Sequence, residues 1–463
     1  MKYEAIKQQF EQAAGFAPTE LQVADAELLS QLPASANFSD VGTGKTVVST
    51  LASMLRGPDA TLVIVPPILI PQWTSWLRKV GMGEVCRFEG TPAQRARLNP
   101  YEARWVVMSH AIYRDNPNKW LKLGMDKDIE VIVDEAHALK STRSVLYKCV
   151  ARQPKDALQL LTATPTSTPI DAYAYIRLKT PDVYRSLGEF QMRHVKTVDI
   201  FNKVTEWQGL ETVAEKLALN SVKRTKEEVF GYNLTPIYQT MGYDLDPAHS
   251  KLYTKLVDEQ VLLLPGGDKI DATTATRLYH AMQQIVCNWH EFSGDSKHRS
   301  AIYDLIDNVV EDSCCLSQGR SKLIVFTYYK RTSRNLLEYL NKKHDQVAVG
   351  AYSEVDSAKS IERFLNDPSC RILVGQPSSC GMGLNPAHLC SEVLFVEAST
   401  VPLQMIQAIG RVDRMGQTVR PTIRFALASG TVQKKLFSQL EEKSALVAVV
   451  EDKKSLRDLL LGR

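Results

Sequence analysis

Short, nearly continuous apolar runs alternate along this chain with longer stretches in which apolar positions recur at helical spacing. The runs fall into two blocks, Thr61–Val65, Trp105–Met108, Glu130–Val133 and Leu158–Leu161 in the first, and Leu323–Phe326, Val347–Gly350, Ile372–Val374, Val393–Val396 and Thr422–Phe425 in the second. Such runs are typical of strands buried on both faces. A strand-then-helix order predicts parallel sheets with crossover helices, so we expect an α/β fold with two parallel-sheet domains.

Between the two blocks the pattern changes. Across residues 182–295 the strand signal fades and helical spacing takes over. Over Ala248–Leu264, one helical face would carry Leu252, Leu256, Val257 and Val261. The triplet Pro265-Gly266-Gly267 predicts a loop. We therefore expect a helical insertion and linker at 182–295, between a first domain at 1–181 and a second at 296–463.

Length, charge and cysteine content narrow the class of protein. A chain of 463 residues suits two α/β domains plus insertions. No apolar run is long enough to span a membrane and the first residues are polar, so we expect no membrane partner, no secretory signal and a cytoplasmic location, with a nuclear one left open. The formal charge of +4 means that a nucleic-acid partner would need a locally positive cleft. The eight cysteines include no Cys-x-x-Cys pair, which favours reduced thiols over a metal site or disulfide framework.

Residues 39–46 read Ser-Asp-Val-Gly-Thr-Gly-Lys-Thr, which has the ending of a phosphate-binding loop. The glycines let backbone N–H groups turn inward around a phosphate, the lysine adds positive charge at the β and γ oxygens, and the last hydroxyl suits Mg²⁺. The helical spacing that follows supports this interpretation over a chance Gly-Lys-Thr loop. The predicted nucleotide ligands are Gly42, Thr43, Gly44, Lys45 and Thr46, the last also a predicted metal ligand.

A second phosphate site is predicted where the apolar run Val131–Val133 ends in Asp134-Glu135-Ala136-His137. Asp134 at a strand end is suited to hold the Mg²⁺ that Thr46 also contacts, and Glu135 is then placed to polarise the attacking water. An ordinary acidic pair after a strand is the alternative. Further on, Leu161-Thr162-Ala163-Thr164-Pro165 supplies hydroxyls that can bond near the γ-phosphate.

Near the end of the chain, two arginines are spaced three apart within Gln407–Gln417. That spacing predicts that Arg411 and Arg414 project from one side of a helix. A guanidinium clamps phosphate oxygens in a fork, and arginine fingers accelerate related reactions by about 10³–10⁵. A solvated arginine pair is the alternative, which the flanking Gln407 and glycines make less favourable.

Several of these segments resemble the Swi/Snf-type ATPases of helicase superfamily two. The resemblance covers Leu21 to Lys443 and is carried by Ile64–Trp73, Asp134–Lys140, Lys223–Lys226, Gly381–Asn385 and Gln407–Gln417. It implies two RecA-like lobes with helical protrusions, with ATP and Mg²⁺ between the lobes and duplex DNA across both. By the same resemblance Gln22 contacts the adenine edge, His137 links the nucleotide to the nucleic-acid side, Gly383 lies in the fifth motif, and Gln407 joins the catalytic set.

Departures from that family are also present. Ala163 stands where the family has Gly, Thr166-Ser167-Thr168 replaces Gln-Asn, and Ser39-Asp40-Val41 replaces an acidic pair and Met. In the general pattern of a phosphate loop, the position of Ser39 is a glycine. No histone-reading domain is evident, so we expect a compact motor of phage or prokaryotic type rather than a chromatin remodeller. The predicted contacts to the DNA backbone are hydroxyl, amide, aromatic and cationic residues, namely Gln72, Ser109, His110, Thr142, Arg143, Thr164, Tyr328, Lys330 and Arg331. Ordinary polarity of loops is the alternative for each.

Taken together, these features predict an ATP-dependent, monomeric motor on double-stranded or branched DNA, performing branch migration or fork unwinding in replication, recombination or repair. Backbone contacts carry no base information, so we expect little sequence preference. A replication or recombination protein is a candidate partner. The alternatives are a motor that strips proteins from duplex DNA, an RNA helicase, and a nucleotide-dependent clamp without turnover.

Overall fold

The computed structural model divides the chain into two compact units. The first is built from Met1–Asn233 and the second from Leu234–Ser444. The described residues are 2–200, 204–231, 234, 236–263, 269–271, 275–293, 300–313, 322–344, 348–352, 357–380, 389–397, 402–413, 417–434 and 437–438. Among them, no helix is both long enough and apolar enough to cross a membrane.

The first unit is built on a seven-stranded sheet in which every pairing is parallel, with the strand order β3-β4-β2-β5-β6-β1-β9. The strands of this unit, including the antiparallel hairpin β7–β8, are β1 (Ala34–Asn37), β2 (Ala60–Val65), β3 (Val85–Arg87), β4 (Trp105–Ser109), β5 (Ile129–Asp134), β6 (Ala157–Leu161), β7 (Val195–Val198), β8 (Val204–Trp207) and β9 (Ser221–Val222). The four apolar runs of the first block coincide with β2, β4, β5 and β6, which confirms them as buried parallel strands.

Helices cover both faces of that sheet. They are α1 (Lys2–Ala14), α2 (Glu20–Gln31), α3 (Lys45–Arg56), α4 (Ile70–Val80), α5 (Pro92–Arg95), α6 (His110–Asp115), α7 (Pro117–Asp126), α8 (Val145–Arg152), α9 (Ala172–Lys179), α10 (Leu187–His194), α11 (Leu210–Ala218) and α12 (Lys226–Phe230). Successive residues along a strand point to opposite faces of the sheet and pack in different apolar clusters. In β5, Ile132 packs with α1–α4, whereas Val131 and Val133 pack with the helices of the opposite face. Burial on both faces is why these strands are almost entirely apolar.

The second unit has a six-stranded parallel sheet in the order β10-β17-β16-β13-β15-β14. The strands of this unit are β10 (Ile237–Tyr243), β11 (Val261–Leu263), β12 (Lys269–Asp271), β13 (Lys322–Phe326), β14 (Ala348–Ala351), β15 (Ile372–Gly375), β16 (Cys390–Phe395) and β17 (Thr422–Ala428). Its helices are α13 (Pro247–Glu259), α14 (Ala275–Ser293), α15 (Ile302–Asp312), α16 (Lys330–Lys343), α17 (Ser357–Asn366), α18 (Pro377–Cys380) and α19 (Pro402–Ile409). The five predicted runs of the second block are confirmed as β13 to β17.

The segment 182–295 contains more strand than its periodicity indicates. It contributes β9 to the first sheet and β10 to the second, besides the hairpin β7–β8 and the pair β11–β12. The helix expected over Ala248–Leu264 ends at Glu259, because Gln260 adopts a left-handed φ of 54° and Val261 begins a strand. The placement of Val261 on that helix is therefore wrong. The predicted loop at 265–267 lies outside the described residues.

Candidate nucleotide-binding site

The loop after β1 has the backbone that a phosphate-binding loop requires. Gly42 and Gly44 both have φ of +87°, in the left-handed region that favours glycine. A Cβ on Gly44 would lie 2.5 Å from the Gln22 side-chain nitrogen, so a larger residue would displace that side chain as well as strain the backbone. The Lys45 ammonium donates to the carbonyl oxygens of Ser39 at 2.8 Å and Asp40 at 2.9 Å. The loop therefore curls around its own lysine at the start of α3, as the sequence predicts.

Gln22 ties helix α2 to this loop. Its side-chain nitrogen donates to the Thr43 carbonyl at 2.8 Å, and its side-chain oxygen accepts from the Thr19 backbone N–H at 3.0 Å. The second bond is half of a capping box at the start of α2. Gln22 is thus buried between two backbone partners, and its contact with the adenine edge stays a prediction.

The departure from glycine at position 39 has a structural use. The Ser39 hydroxyl accepts from the backbone N–H of Arg224 at 3.0 Å, and the Asp40 N–H donates to the Arg224 carbonyl at 2.9 Å. The Arg224 guanidinium in turn bonds the buried carboxylate of Asp25 at 2.7 Å. These contacts hold the segment after β9 against the phosphate loop. No local signal could predict them, because Asp25 and Arg224 are 199 positions apart.

Asp134 ends β5 with both carboxylate oxygens held by donors. The Trp73 indole N–H donates to Oδ2 at 2.7 Å, and the Glu135 backbone N–H donates to Oδ1 at 2.9 Å. Burial and the neighbouring Glu135 carboxylate raise the pKa of Asp134, whereas the Trp73 hydrogen bond and the Lys45 ammonium oppose that rise. Because β1 and β5 both pair in parallel with β6, the phosphate loop and Asp134 lie at the same edge of one sheet, with Lys45 near enough to affect the pKa of Asp134.

Glu135 occupies a strained backbone position. Its φ and ψ are both 49°, a left-handed conformation that is uncommon for a residue with a side chain. Strain of this kind is concentrated at functional sites. The His137 Nδ1 lies 3.1 Å from Glu135 Oε2, and the two side chains are 26% and 24% exposed. The pair is thus accessible from solvent, whereas Ala136 between them is buried and its carbonyl accepts from the Tyr175 hydroxyl at 3.0 Å.

The hydroxyls of Thr162 and Thr164, which follow β6, are buried. Thr162 accepts from the Thr164 backbone N–H at 3.2 Å, and no partner for the Thr164 hydroxyl is found among the described residues. The Ser167 hydroxyl accepts from the Lys140 ammonium at 2.8 Å. Asp171 accepts from the Ser167 N–H at 2.8 Å. The serine that stands in place of the family's Gln-Asn pair therefore links this turn to the segment after Asp134.

The predicted DNA contacts are not equally accessible. Gln72, Arg143, Lys330 and Arg331 are exposed, and Thr142 and Tyr328 are half-buried. The Ser109 hydroxyl instead caps α6 by accepting from the Ile112 N–H, and Thr164 is buried. All of these DNA contacts stay predictions, but the side chains of Ser109 and Thr164 are buried in the protein interior.

His110, another predicted DNA contact, is hydrogen-bonded to the backbone of Asp134. Its Nε2 is 2.9 Å from the Asp134 carbonyl, and because a carbonyl only accepts, Nε2 carries the proton. Burial lowers the pKa of His110, which favours the neutral imidazole. The side chain therefore supports the backbone of the predicted metal ligand, a role that sequence reasoning missed along with that of Trp73.

In the second unit, Arg411 lies just beyond a helix. Helix α19 ends at Ile409, and the Arg411 and Val412 N–H groups bond carbonyls three residues back, whereas the Gly410 N–H still bonds four residues back. The prediction that Arg411 projects from a helix is therefore wrong, because Arg411 lies in a turn beyond the last helical residue, Ile409. Gln407 lies on α19 and is half-buried. Arg414 and Gly383 lie outside the described residues.

A buried carboxylate organises the start of α16. Glu397, after β16, is 1% exposed and accepts from the Tyr328 and Tyr329 backbone N–H groups at 2.8 and 3.0 Å. Its other oxygen accepts from the Thr332 hydroxyl at 2.7 Å. Burial raises the pKa of this carboxyl. Glu397 thus holds the turn that presents Lys330, although the sequence contains no motif that marks it.

The oxygen donors near Lys45 fit a hard divalent cation. Asp134 is a carboxylate at a strand end, and Thr46 contributes a hydroxyl one residue after Lys45. Mg²⁺ takes few protein oxygens and completes its octahedron with waters and phosphate oxygens, so two such ligands suffice. Within the described part of the chain, no group of three or more His, Cys, Asp or Glu side chains could hold a metal ion by itself.

Comparison with known proteins decides the family. The profile of the SNF2-related domain matches residues 33–292, more than half of the chain. This chain belongs to the SNF2-related family. The resemblance to Swi/Snf-type ATPases that the motifs carry is thereby confirmed.

Curated relatives of this SNF2-related chain have diverse names. It is 26% identical over 430 residues to the Xenopus laevis SWI/SNF-related matrix-associated actin-dependent regulator of chromatin subfamily A-like protein 1, covering 87% of this chain and 41% of that protein. It is 23% identical to the Bacillus subtilis uncharacterized ATP-dependent helicase YqhH, covering 92% of this chain and 78% of that protein. It is 22% identical to the bovine DNA annealing helicase and endonuclease ZRANB3, covering 88% and 38%. The chain thus spans about two-fifths of the two animal relatives.

Among solved structures, the Pyrococcus furiosus Hef helicase domain has the same fold. It is similar with a TM-score of 0.55 and 14% sequence identity, covering 91% of this SNF2-related chain and 98% of that one. The expectation of two parallel-sheet domains of helicase type is confirmed.

Proposed function

We propose that this SNF2-related chain is an ATP-dependent DNA translocase that acts on double-stranded or branched DNA. The observation that carries the proposal is the first-unit arrangement of Lys45 in its glycine loop and Asp134 at the end of β5, close enough for the ammonium to influence the pKa of the carboxyl. A loop lysine facing a strand-end carboxylate is the arrangement that phosphoryl transfer in nucleotide hydrolases requires.

Each group in that arrangement has a proposed task. The N–H groups around Gly42 and Gly44 and the Lys45 ammonium bind and neutralise the phosphates. Asp134 and Thr46 would hold Mg²⁺, which supplies charge neutralisation at the phosphate oxygens. Glu135 orients the attacking water and accepts its proton through the carboxylate oxygen that lies near His137 Nδ1. We also propose that Arg411, with Gln407, acts on the same phosphates during hydrolysis.

Contact with DNA is proposed through the backbone. Lys330 and Arg331 are exposed at the start of α16, and Gln72 and Arg143 are exposed on the first unit. Cations and amides of this kind suit phosphate oxygens and carry no base information. The helicase names of two relatives support a nucleic-acid substrate, and the word DNA in one of them supports DNA over RNA.

Branched DNA, with branch migration or fork unwinding as the output, is the finer part of the proposal. It draws on the relative named as a DNA annealing helicase. The segment 182–295 carries the cations Arg193 and Lys196, which could contact a second duplex arm. They add little support, because Arg193 pairs with Glu189 and Lys196 with Glu206. His194 is buried and hydrogen-bonded to Tyr184. A motor that strips proteins from duplex DNA remains the second candidate.

The test is ATP turnover and strand displacement on defined nucleic acids. Turnover is measured with single-stranded, duplex, forked and four-way DNA and with RNA, and displacement is compared between a four-way junction and a blunt duplex at equal turnover. We expect stimulation by DNA and product only from the junction or fork. Equal stimulation by RNA would overturn the DNA assignment, and clearance of a protein roadblock without junction products would favour the stripping motor.

A double variant and a control at the other end of the same helix test the proposed DNA contact. Lys330→Ala with Arg331→Ala removes two exposed cations from the first turn of α16, whereas Lys342→Ala removes an exposed cation from its last turn. We expect the double variant to weaken DNA binding about tenfold or more and the control to bind normally. Equal binding by both proteins would remove this turn from the DNA site.

A further inference from the structure

Two tryptophans on one helix have different hydrogen-bond partners. Trp73 and Trp76 both lie on α4, three residues apart. The Trp73 indole is 2% exposed, and its N–H donates to Asp134 Oδ2 at 2.7 Å. The Trp76 indole N–H donates instead to the Thr50 hydroxyl at 3.0 Å. Of the two tryptophans, only Trp73 therefore donates a hydrogen bond to the carboxylate of Asp134.

The indole of Trp73 restricts how the Asp134 carboxylate can turn. Oδ1 is already held by the Glu135 N–H, so a second donor at Oδ2 pins both oxygens. An indole N–H is a donor only and sits on a rigid, buried ring, so it offers Asp134 a single fixed anchor. A pinned carboxylate keeps its remaining lone pairs directed one way, which lowers the ordering cost of ligand binding.

We propose that Trp73 is a positioning residue for the magnesium ligand Asp134. Its N–H holds the carboxylate in the orientation that receives the cation beside the phosphates bound at Lys45. This role differs from packing. An aromatic ring without an N–H could fill the same space, but it could not donate a hydrogen bond to Asp134. The proposal rests on the proposed function, since it requires that Asp134 serve a nucleotide-bound Mg²⁺.

The test separates the donor from the ring. Trp73→Phe keeps an aromatic ring in the apolar cluster and removes the N–H, and Trp76→Phe makes the same change on the same helix as the control. Binding of the imido analogue of ATP is measured for each protein with Mg²⁺ and with EDTA. We expect Trp73→Phe to lose about tenfold in the Mg²⁺-dependent gain of affinity and nothing in EDTA. Trp76→Phe should match the wild type in both conditions.

A spectroscopic readout needs no turnover. In protein labelled with ¹⁵N-tryptophan, each indole N–H gives a separate resonance, and that of Trp73 is identified by its loss in Trp73→Phe. We expect Mg²⁺ added to the analogue-bound wild type to shift the Trp73 resonance and to leave that of Trp76 unmoved. If Trp73→Phe does not fold, Phe variants of the other tryptophans assign the resonance by elimination, and the wild-type shift alone decides.

The outcomes distinguish two failures. An unchanged Mg²⁺-dependent gain in Trp73→Phe, or an unmoved Trp73 resonance, would overturn the positioning role while leaving nucleotide binding intact. A wild-type protein whose nucleotide affinity does not respond to Mg²⁺ at all would instead overturn the proposed function. Equal loss of affinity by Trp73→Phe in Mg²⁺ and in EDTA would assign the tryptophan to packing and would also overturn the proposal.

Discussion

Removal of the buried Glu397 carboxylate should destabilise the second unit far more than its replacement by an amide. In Glu397→Ala the backbone N–H groups of Tyr328 and Tyr329 and the hydroxyl of Thr332 lose their acceptor. A buried donor left unpaired costs about 1–3 kcal/mol, so three of them, partly relieved by water in the cavity, should cost about 3–5 kcal/mol. In a unit of this size that loss should lower the melting temperature by roughly 10 °C.

Glu397→Gln is the matched control. The Gln oxygen can accept from both N–H groups, and its amide N–H₂ can donate to the Thr332 hydroxyl, so the expected cost is only about 1 kcal/mol. Calorimetry reports the melting transitions, and amide hydrogen exchange of residues 322–344 locates the change. We expect faster exchange at Tyr328 and Tyr329 in Glu397→Ala alone. If the two variants melt alike, or if Glu397→Ala melts like the wild type, the reasoning fails.

Comparison of the wild type with Glu397→Gln also predicts how the free energy of unfolding depends on pH. Burial raises the pKa of Glu397 above its usual 4.5, so the folded protein holds the proton at pH values where the unfolded chain has lost it. The stability of the wild type therefore falls as pH rises from 4.5 toward the raised value, and then levels off. Glu397→Gln lacks this dependence, so its deficit relative to the wild type should shrink as pH rises. A deficit that is constant with pH would contradict the assigned pKa direction.

Four further predictions concern the motor. Lys45→Ala should weaken nucleotide binding at least tenfold by removing the phosphate counter-charge, which equilibrium binding checks. Glu135→Gln should bind ATP normally but turn over at least a hundredfold more slowly, and wild-type turnover would refute its role. Arg411→Ala should remove most DNA-stimulated turnover, by about 10³ or more, while Arg420→Ala, which removes an exposed arginine, should not. DNA binding should fall steeply with salt and vary little between sequences; a flat salt response would count against backbone contacts.

Several features could be predicted from the sequence because their signals are local. The continuous apolar runs at β2, β4, β5 and β6 identified strands, because each residue of such a strand meets a helix layer on one face or the other. The glycines and lysine of the phosphate loop are recognisable for a similar reason. Their backbone angles, such as the left-handed φ of Gly42 and Gly44, depend on residue type at adjacent positions.

Other features could not be predicted from the sequence, because the residues that interact are far apart along the chain. The short strand β9 is apolar at only one buried position, Val222, and its pairing with β1 depends on the sheet. His110 was expected at DNA from its polarity, yet its ring supports the Asp134 backbone.

The α/β class, the positions of the buried strands, the order of the motifs and the predicted roles of Lys45, Asp134 and Glu135 follow from the sequence alone. Those properties depend on composition and spacing over a few residues. The contacts that hold these groups in place are visible only in the folded chain: Trp73 on Asp134, Arg224 on Ser39, and Glu397 on the turn before α16. Such bonds join residues tens to hundreds of positions apart. They form because folding removes donors and acceptors from water, so each must find a partner wherever the chain has brought one within reach.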